Sequence, residues 1–437
     1  MSLRPFLAAI AALLFLAPYP AAAELSRAEQ AMVRTIDTEQ ERTVALLANW
    51  VNQNSGSLNL AGVEAVGRMV RPEFEALGFK VEWLDMKAAG RAGHIVATHK
   101  GNGRGKRLLL IAHLDTVFEP HSPFQRWTRR GNTGEGPGAG DDKGGIAVIV
   151  AALRAMKAAG TLRNADIVVF LTGDEEDAGS PIEVSRGRLI EAGKWADVAL
   201  DFEGLAVEDG RDMGSTARRS SDSWTLRVTA KSGHSSGIFR PGTGYGAIYE
   251  LARIIDTFRR ELPEAKLTYN VGLVTGGETL ELSGDKIRAS ATGKTNIIAP
   301  TAIARGDLRA LSQEQIERAK ARMQAIVQRS LAGTKGEIEF DEGGYPPMAP
   351  TSGNRALLVR LNAVNRDMGL AEMGELDPEK RGAGDISFVA GDVDSLAGLG
   401  PDSSGSHAPG ETVDIPSIFK QAKRAAILMS RLARERR

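Results

Sequence analysis

The stretch Leu108-Leu109-Leu110-Ile111-Ala112-His113-Leu114-Asp115 decides the fold. Five apolar residues in a row read as a short strand buried on both faces, the kind found in parallel sheets. The run opens directly onto His113 and Asp115. The same arrangement returns twice, with Ile167–Thr172 leading to Asp174-Glu175-Glu176 and Val198–Leu200 leading to Asp201-Phe202-Glu203. In an open α/β sheet, sites form outside the carboxyl ends of the strands, so these clusters are expected at one edge. Two more complete the set, Asp141-Asp142-Lys143-Gly144-Gly145 and Ser406-His407-Ala408. One such cluster is weak evidence, because Asp and Glu in strand-to-helix loops are usually solvated or cap a helix. Five in this order point to a site.

The residue types suit a two-metal hydrolase. Two zinc ions held about 3.5–4 Å apart can polarise a carbonyl and activate water near neutral pH. Such a pair needs imidazole and carboxylate ligands, with one carboxylate shared between the ions. It also needs a carboxylate that binds no metal and takes the proton from water. The clusters supply two histidines, three ligand carboxylates and one carboxylate to serve as base. The chain contains no cysteine, which excludes thiolate zinc sites and cysteine nucleophiles.

With all five clusters in order, the chain from about Ala45 onward resembles the co-catalytic di-zinc metallopeptidases and amidohydrolases. That family includes glutamate carboxypeptidase, aminoacylase, peptidase T and succinyl-diaminopimelate desuccinylase. The likeness to periplasmic glutamate carboxypeptidases runs through Leu108–Phe118 and Gly138–Gly145. It extends to Gly233-His234-Ser235-Ser236-Gly237 and to Asn296-Ile297-Ile298-Ala299-Pro300 with Asp307-Leu308-Arg309. The resemblance implies an α/β fold: a zinc-exopeptidase-like catalytic domain with a central mixed sheet, interrupted by an inserted α+β lid (dimerisation) domain of four strands and two helices. The expected boundaries are a signal peptide at 1–23, the catalytic domain at 24–214 and 341–437, and the lid at 215–340, entered through a Ser/Arg-rich hinge near Ser215–Ser221.

Carried over residue by residue, the resemblance implies that His113 and Glu203 bind one zinc, Glu176 and His407 the other, and that Asp141 bridges them. Asp201 is the fallback for Glu203. Asp115 would accept the His113 imidazole N–H, and Glu175 would be the general base. His234 would stabilise the oxyanion of the tetrahedral intermediate, either across a homodimer or from a lid that closes in cis. Asn296 and Arg309 match substrate-contacting positions, and for Arg309 a structural pairing with Asp307 is an equal expectation. Asp385 would organise a loop beside the site, whereas His94, His99 and His121 match no ligand position. Glutamate carboxypeptidases carry an arginine before a proline after the lid. Here the residues are Gly343-Gly344-Tyr345-Pro346-Pro347 with no arginine, so Tyr345 is expected to accept a less charged or more apolar group.

Composition agrees with a soluble enzyme. At 437 residues the chain exceeds one ordinary core. The 55 basic and 55 acidic residues cancel, which argues against nucleic acid as a partner. At the N-terminus, Arg4, the apolar run Phe6–Ala17 and Ala21-Ala22-Ala23 read as a cleavable export signal. The expectation is a periplasmic or secreted protein with no stable membrane association after cleavage. Further along, a helix is expected from Ser26 through Trp50. Others are expected over Gly144–Met156, around Tyr245–Phe258, and over Ser312–Gly333, the last opening with a Ser312/Gln315 capping box.

Three functions follow. The first is an exported exopeptidase that removes a C-terminal residue or splits small peptides. The second is an amidohydrolase acting on N-acyl amino acids with the same chemistry. The third is a silent relative that binds peptides without cleaving them, which loss of Glu175 or a ligand would favour. Every one of those residues is present.

Overall fold

The computed structural model describes residues 24–437. The expected signal peptide, 1–23, lies outside the described residues. Among the described residues, the central sheet has six strands in the order Lys80–Asp85, Gly93–His99, Ile167–Thr172, Leu108–His113, Val198–Asp201 and Ser395–Leu396. The first three of these strands pair antiparallel and the remaining neighbours pair parallel, so the sheet is mixed, as expected. The register places Leu108 opposite Ile167 and Val198, and His113 opposite Thr172. Three chain segments therefore leave the sheet at the same edge, carrying Asp115, Asp174–Glu176 and Glu203.

The period of two along each strand sends alternate side chains to opposite faces. Leu108, Leu110 and Ala112 pack with the helices Leu60–Leu77, Lys143–Ala158 and Ile415–Leu432. Leu109 and Ile111 pack against Leu189 of the helix Ile182–Trp195 and against Ile386 and Val389. Covered on both sides, these strands must be apolar throughout, which is why they read so clearly. The helix Lys143–Ala158 is apolar nearly all round because it lies between the sheet and an outer layer of helices.

A second, antiparallel sheet has the order Thr268–Gly277, Thr301–Arg309, Asp222–Ala230 and Thr334–Phe340. The helices Ala247–Glu261 and Gln313–Gln328 cover one face around Trp224, Leu226, Val228 and Phe258. At Gly306 a side chain would strike the Asn270 carbonyl and the Trp224 indole, so only glycine allows the outer strand its bulge there. Among the described residues no helix is long and apolar enough to cross a membrane.

Two expectations change. The helix foreseen over Ser26–Trp50 is two, Arg27–Thr38 and Gln40–Val51. They break at Glu39, whose carboxylate takes both the Nε (2.6 Å) and an Nη (2.8 Å) of Arg154. The helix foreseen to Gly333 stops at Gln328. Its N-cap is half a capping box: Ser312 Oγ accepts the Gln315 N–H at 3.2 Å, but the Gln315 side chain accepts from Leu311.

Candidate metal centre

Four of the foreseen residues converge. Asp141 lies at the centre, with Oδ1 3.0 Å from Nε2 of His113 and Oδ2 3.3 Å from Nε2 of His407. The His407 Nε2 is also 3.1 Å from Glu176 Oε2. Donor atoms of His113, Asp141 and Glu176 all lie within 4.8 Å of one another. Each oxygen of one carboxylate thus faces a different imidazole, the arrangement a shared ligand requires. His407 has φ 65, a left-handed conformation that side chains other than glycine rarely adopt and that tends to mark functional sites.

The electrostatics favour positive charge here. Burial opposes ionisation of Asp141, yet hydrogen bonds from His113 and His407 hold it well below the usual carboxylate range. Hydrogen bonds to Asp141 and Glu176 push the His407 imidazole up to about 11. A cage that stabilises an imidazolium this strongly is also suited to divalent cations. The donor set, imidazole and carboxylate without thiolate, fits zinc.

Asp115 sits behind this group, fully buried. Its Oδ1 is 3.4 Å from Nδ1 of His113, which also approaches the Asp115 carbonyl at 3.2 Å. The same carboxylate accepts the backbone N–H of Glu175 (3.0 Å) and of Glu176 (3.1 Å), and the Ser57 hydroxyl at 2.6 Å. Asp115 therefore ties the His113 strand to the Glu175–Glu176 loop, which residue spacing did not reveal. Gly145 lets the following helix approach this edge, since a side chain there would strike the Phe202 carbonyl and the Asp142 carboxylate.

Glu203 is not in the cluster. Its carboxylate pairs with Arg218 Nη2 at 2.7 Å, with Arg381 3.9 Å away. Asp201 takes the other Nη of Arg218 at 3.1 Å and is buried, and burial followed by the Glu203 charge raises it to about 7. The choice between them therefore turns on exposure. Asp201 is sealed at 1% of its side-chain surface, while Glu203 keeps 12%. Glu203 is also close enough to act on Glu175, whose carboxyl is pushed well above the usual range by burial and then by the Glu203 charge.

A second buried network supports the Glu175 backbone. Arg186 donates to Asp385 (2.7 Å), to the Asp174 carboxylate (2.6 Å) and to the Asp174 carbonyl (3.0 Å). It also donates to the Tyr345 hydroxyl at 3.1 Å, which in turn donates to the Glu175 carbonyl at 2.6 Å. The Tyr345 ring packs on Phe388. Its hydroxyl is thus committed to the Glu175 loop, while the ring stays partly exposed. Asp385 accepts the Thr172 hydroxyl as well as Arg186, which ties its own loop to this network. Arg186→Met leaves two buried carboxylates without their cation and should cost about 3–5 kcal/mol of stability in urea unfolding. A cost below about 1 kcal/mol would show that the network is not held by charge.

The remaining positions lie apart from this cluster. His234 is exposed and pairs in a short ladder with Ile297, one residue from Asn296, whose carbonyl accepts the Ser235 N–H. Its Nδ1 accepts the Ser236 N–H at 3.2 Å. Arg309 is engaged by Asp307 at 2.8 Å. His94 bonds Ser185 and Gly173, His99 bonds Ala165, and His121 is exposed, so none of the three joins the cluster.

Residues 109–431 match the model of the "Peptidase family M20/M25/M40". The chain belongs to that family. Carboxypeptidase G2 of Pseudomonas sp. is 27% identical over 433 residues, 96% of each chain. Succinyl-diaminopimelate desuccinylase of Nitrosospira multiformis is 26% identical over 366 residues, 79% of this chain and 86% of that one. Among solved structures, the aminopeptidase PepT of Bacillus cereus superposes with a TM-score of 0.70 at 18% identity, covering 90% of this chain and 99% of that one. The family resemblance and fold class read from the sequence are borne out. The protein is a metal-dependent hydrolase of peptide or amide bonds.

Proposed function

We propose that the chain is an exported, zinc-dependent exopeptidase, a carboxypeptidase or small-peptide hydrolase. The observation that carries this reading is the Asp141 carboxylate, with one oxygen facing His113 and the other facing His407. His113 and Glu203 would hold one zinc and Glu176 and His407 the second, with Asp141 shared. Bound there, the ions supply a polarised scissile carbonyl and an acidified water. The chain's own groups do the rest. Asp115 fixes the ring of His113. Glu175, which binds no metal, takes the water proton and delivers it to the leaving amine. Glu203 must exchange part of its bond to Arg218 for the metal, and its residual exposure supports that role over Asp201.

His234 supplies the donor for the oxyanion. Because its Nδ1 accepts from Ser236, the proton of the neutral ring is left on Nε2, where it can be donated. His234→Ala should lower kcat by about 10²–10³, with metal content unchanged. Undiminished activity would return His234 to a structural role. Among the described residues the outer lid strand Thr268–Gly277 leaves its edge unpaired, and Val274, 58% exposed, lines a groove with Ile248 and Ile255 of the neighbouring helix. An open apolar edge of this kind supports a homodimer through the lid. Mixing His234→Ala with Glu175→Gln subunits should then restore some activity. No recovery from well-mixed subunits would mean that each lid closes on its own site.

The relatives include a carboxypeptidase and a desuccinylase, so N-acyl amino acids are the second reading of the substrate. A panel of dipeptides, acyl-glutamates and acyl-apolar amino acids, assayed with zinc, separates the two. Turnover of peptides supports the first reading. Turnover confined to N-acyl amino acids supports the second.

A further inference from the structure

Four residues past His407, the chain carries an acidic side chain that the proposed chemistry does not use. Glu411 is buried, with 1% of its surface exposed. Its Oε1 accepts the backbone N–H of Gly140 at 2.7 Å and of Asp141 at 3.0 Å, and its Oε2 accepts that of Gly138 at 3.3 Å. The Glu411 carbonyl accepts a fourth, from Gly136, at 3.1 Å. One residue therefore gathers nearly every donor of the loop that ends in Asp141. No cation pairs with this carboxylate among the described residues, so converging N–H dipoles are its hydrogen-bonding partners.

The link from Glu411 to His407 is short and stiff. The Ala408 N–H bonds the Gly405 carbonyl at 3.0 Å, and the Glu411 N–H bonds the Ala408 carbonyl at 3.2 Å, so two tight turns span the segment. This arm holds Asp141 from two sides. The His407 imidazole meets its side-chain oxygen, and Glu411 grips its backbone N–H. A shared carboxylate must present its two oxygens in different directions at once, and backbone orientation at Asp141 sets where they point. A freely turning loop would satisfy one imidazole at the expense of the other.

We propose that Glu411 is a positioning residue: its carboxylate locks the Gly138–Asp141 backbone so that Asp141 serves His113 and His407 together, and thereby sets the affinity of the metal pair. This rests on the two-metal reading of the site. An outer carboxylate that orients a ligand typically contributes 10–100-fold to metal affinity. Glu411→Gln keeps the shape but turns one acceptor into an NH2 group that faces a backbone N–H, so at least one bond is lost.

The test is competition for zinc alone against a chromogenic chelator, alongside thermal unfolding of the metal-free proteins. Glu411→Gln should release zinc about 10–100-fold more readily than wild type. At saturating zinc its KM should be unchanged and most of its kcat recovered. Glu411→Ala should go further in the same direction, and if it does not fold, Glu411→Gln carries the test. Equal zinc affinity in wild type and Glu411→Gln, with only the metal-free Tm lowered, would overturn the inference and leave Glu411 a stabilising residue. Wild type that holds no zinc in the same competition would overturn the metal-centre reading instead.

Discussion

Glu175→Gln is expected to lower kcat by roughly 10²–10⁴-fold while both metals stay bound. The variant keeps the size of the side chain and leaves intact the backbone contacts that hold this loop. Asp115 still accepts the N–H of residue 175, and Tyr345 still donates to its carbonyl. Only the ability to accept a proton is removed. Because proton transfer to the leaving amine acts in the transition state, kcat should fall while KM changes little. Glu176→Gln is the matched control. Its carboxylate faces His407 rather than a free space, so that variant should lose metal. If the two variants hold the same metal content, the assignment of base and ligand is wrong.

His407→Ala is expected to release one zinc and abolish turnover. The imidazole is the group that separates Asp141 Oδ2 from Glu176 Oε2, at 3.3 and 3.1 Å. Without it those two carboxylates face each other across a space with no nitrogen ligand. Two protein donors, Glu176 and Asp141, hold zinc far more loosely than three. Full metal content in His407→Ala, by elemental analysis, would remove His407 from the ligand set.

Much of this was legible in the chain, for physical reasons. Strands covered on both faces must be apolar without interruption, so Leu108–His113 and Ile167–Thr172 announce themselves, and parallel pairing then places their ends together. The metal-type residues are legible because few other roles demand His, Asp and paired Glu at successive strand ends. What was not legible depends on distant partners. The break at Glu39 is tied to Arg154, more than a hundred residues on. Arg186 looks like any helix-surface cation until Asp174 and Asp385 enclose it. Arg218 reads as part of a hinge, yet it grips Asp201 and Glu203. Tyr345 was read from what it replaces in relatives, whereas its hydroxyl is taken by the Glu175 loop. Glu411 gave no local signal, because all the side-chain bonds it accepts lie some 270 residues earlier.

The central claim is that one carboxylate, Asp141, holds two metal ions between His113 and His407. Elemental analysis of the purified active protein and of Asp141→Asn tests it most directly. The account predicts about two zinc ions per chain in the active protein and a loss of both, with activity, in Asp141→Asn, since the shared ligand offsets the repulsion between the ions. Active protein free of transition metal, or an Asp141→Asn variant that keeps two ions, would contradict it.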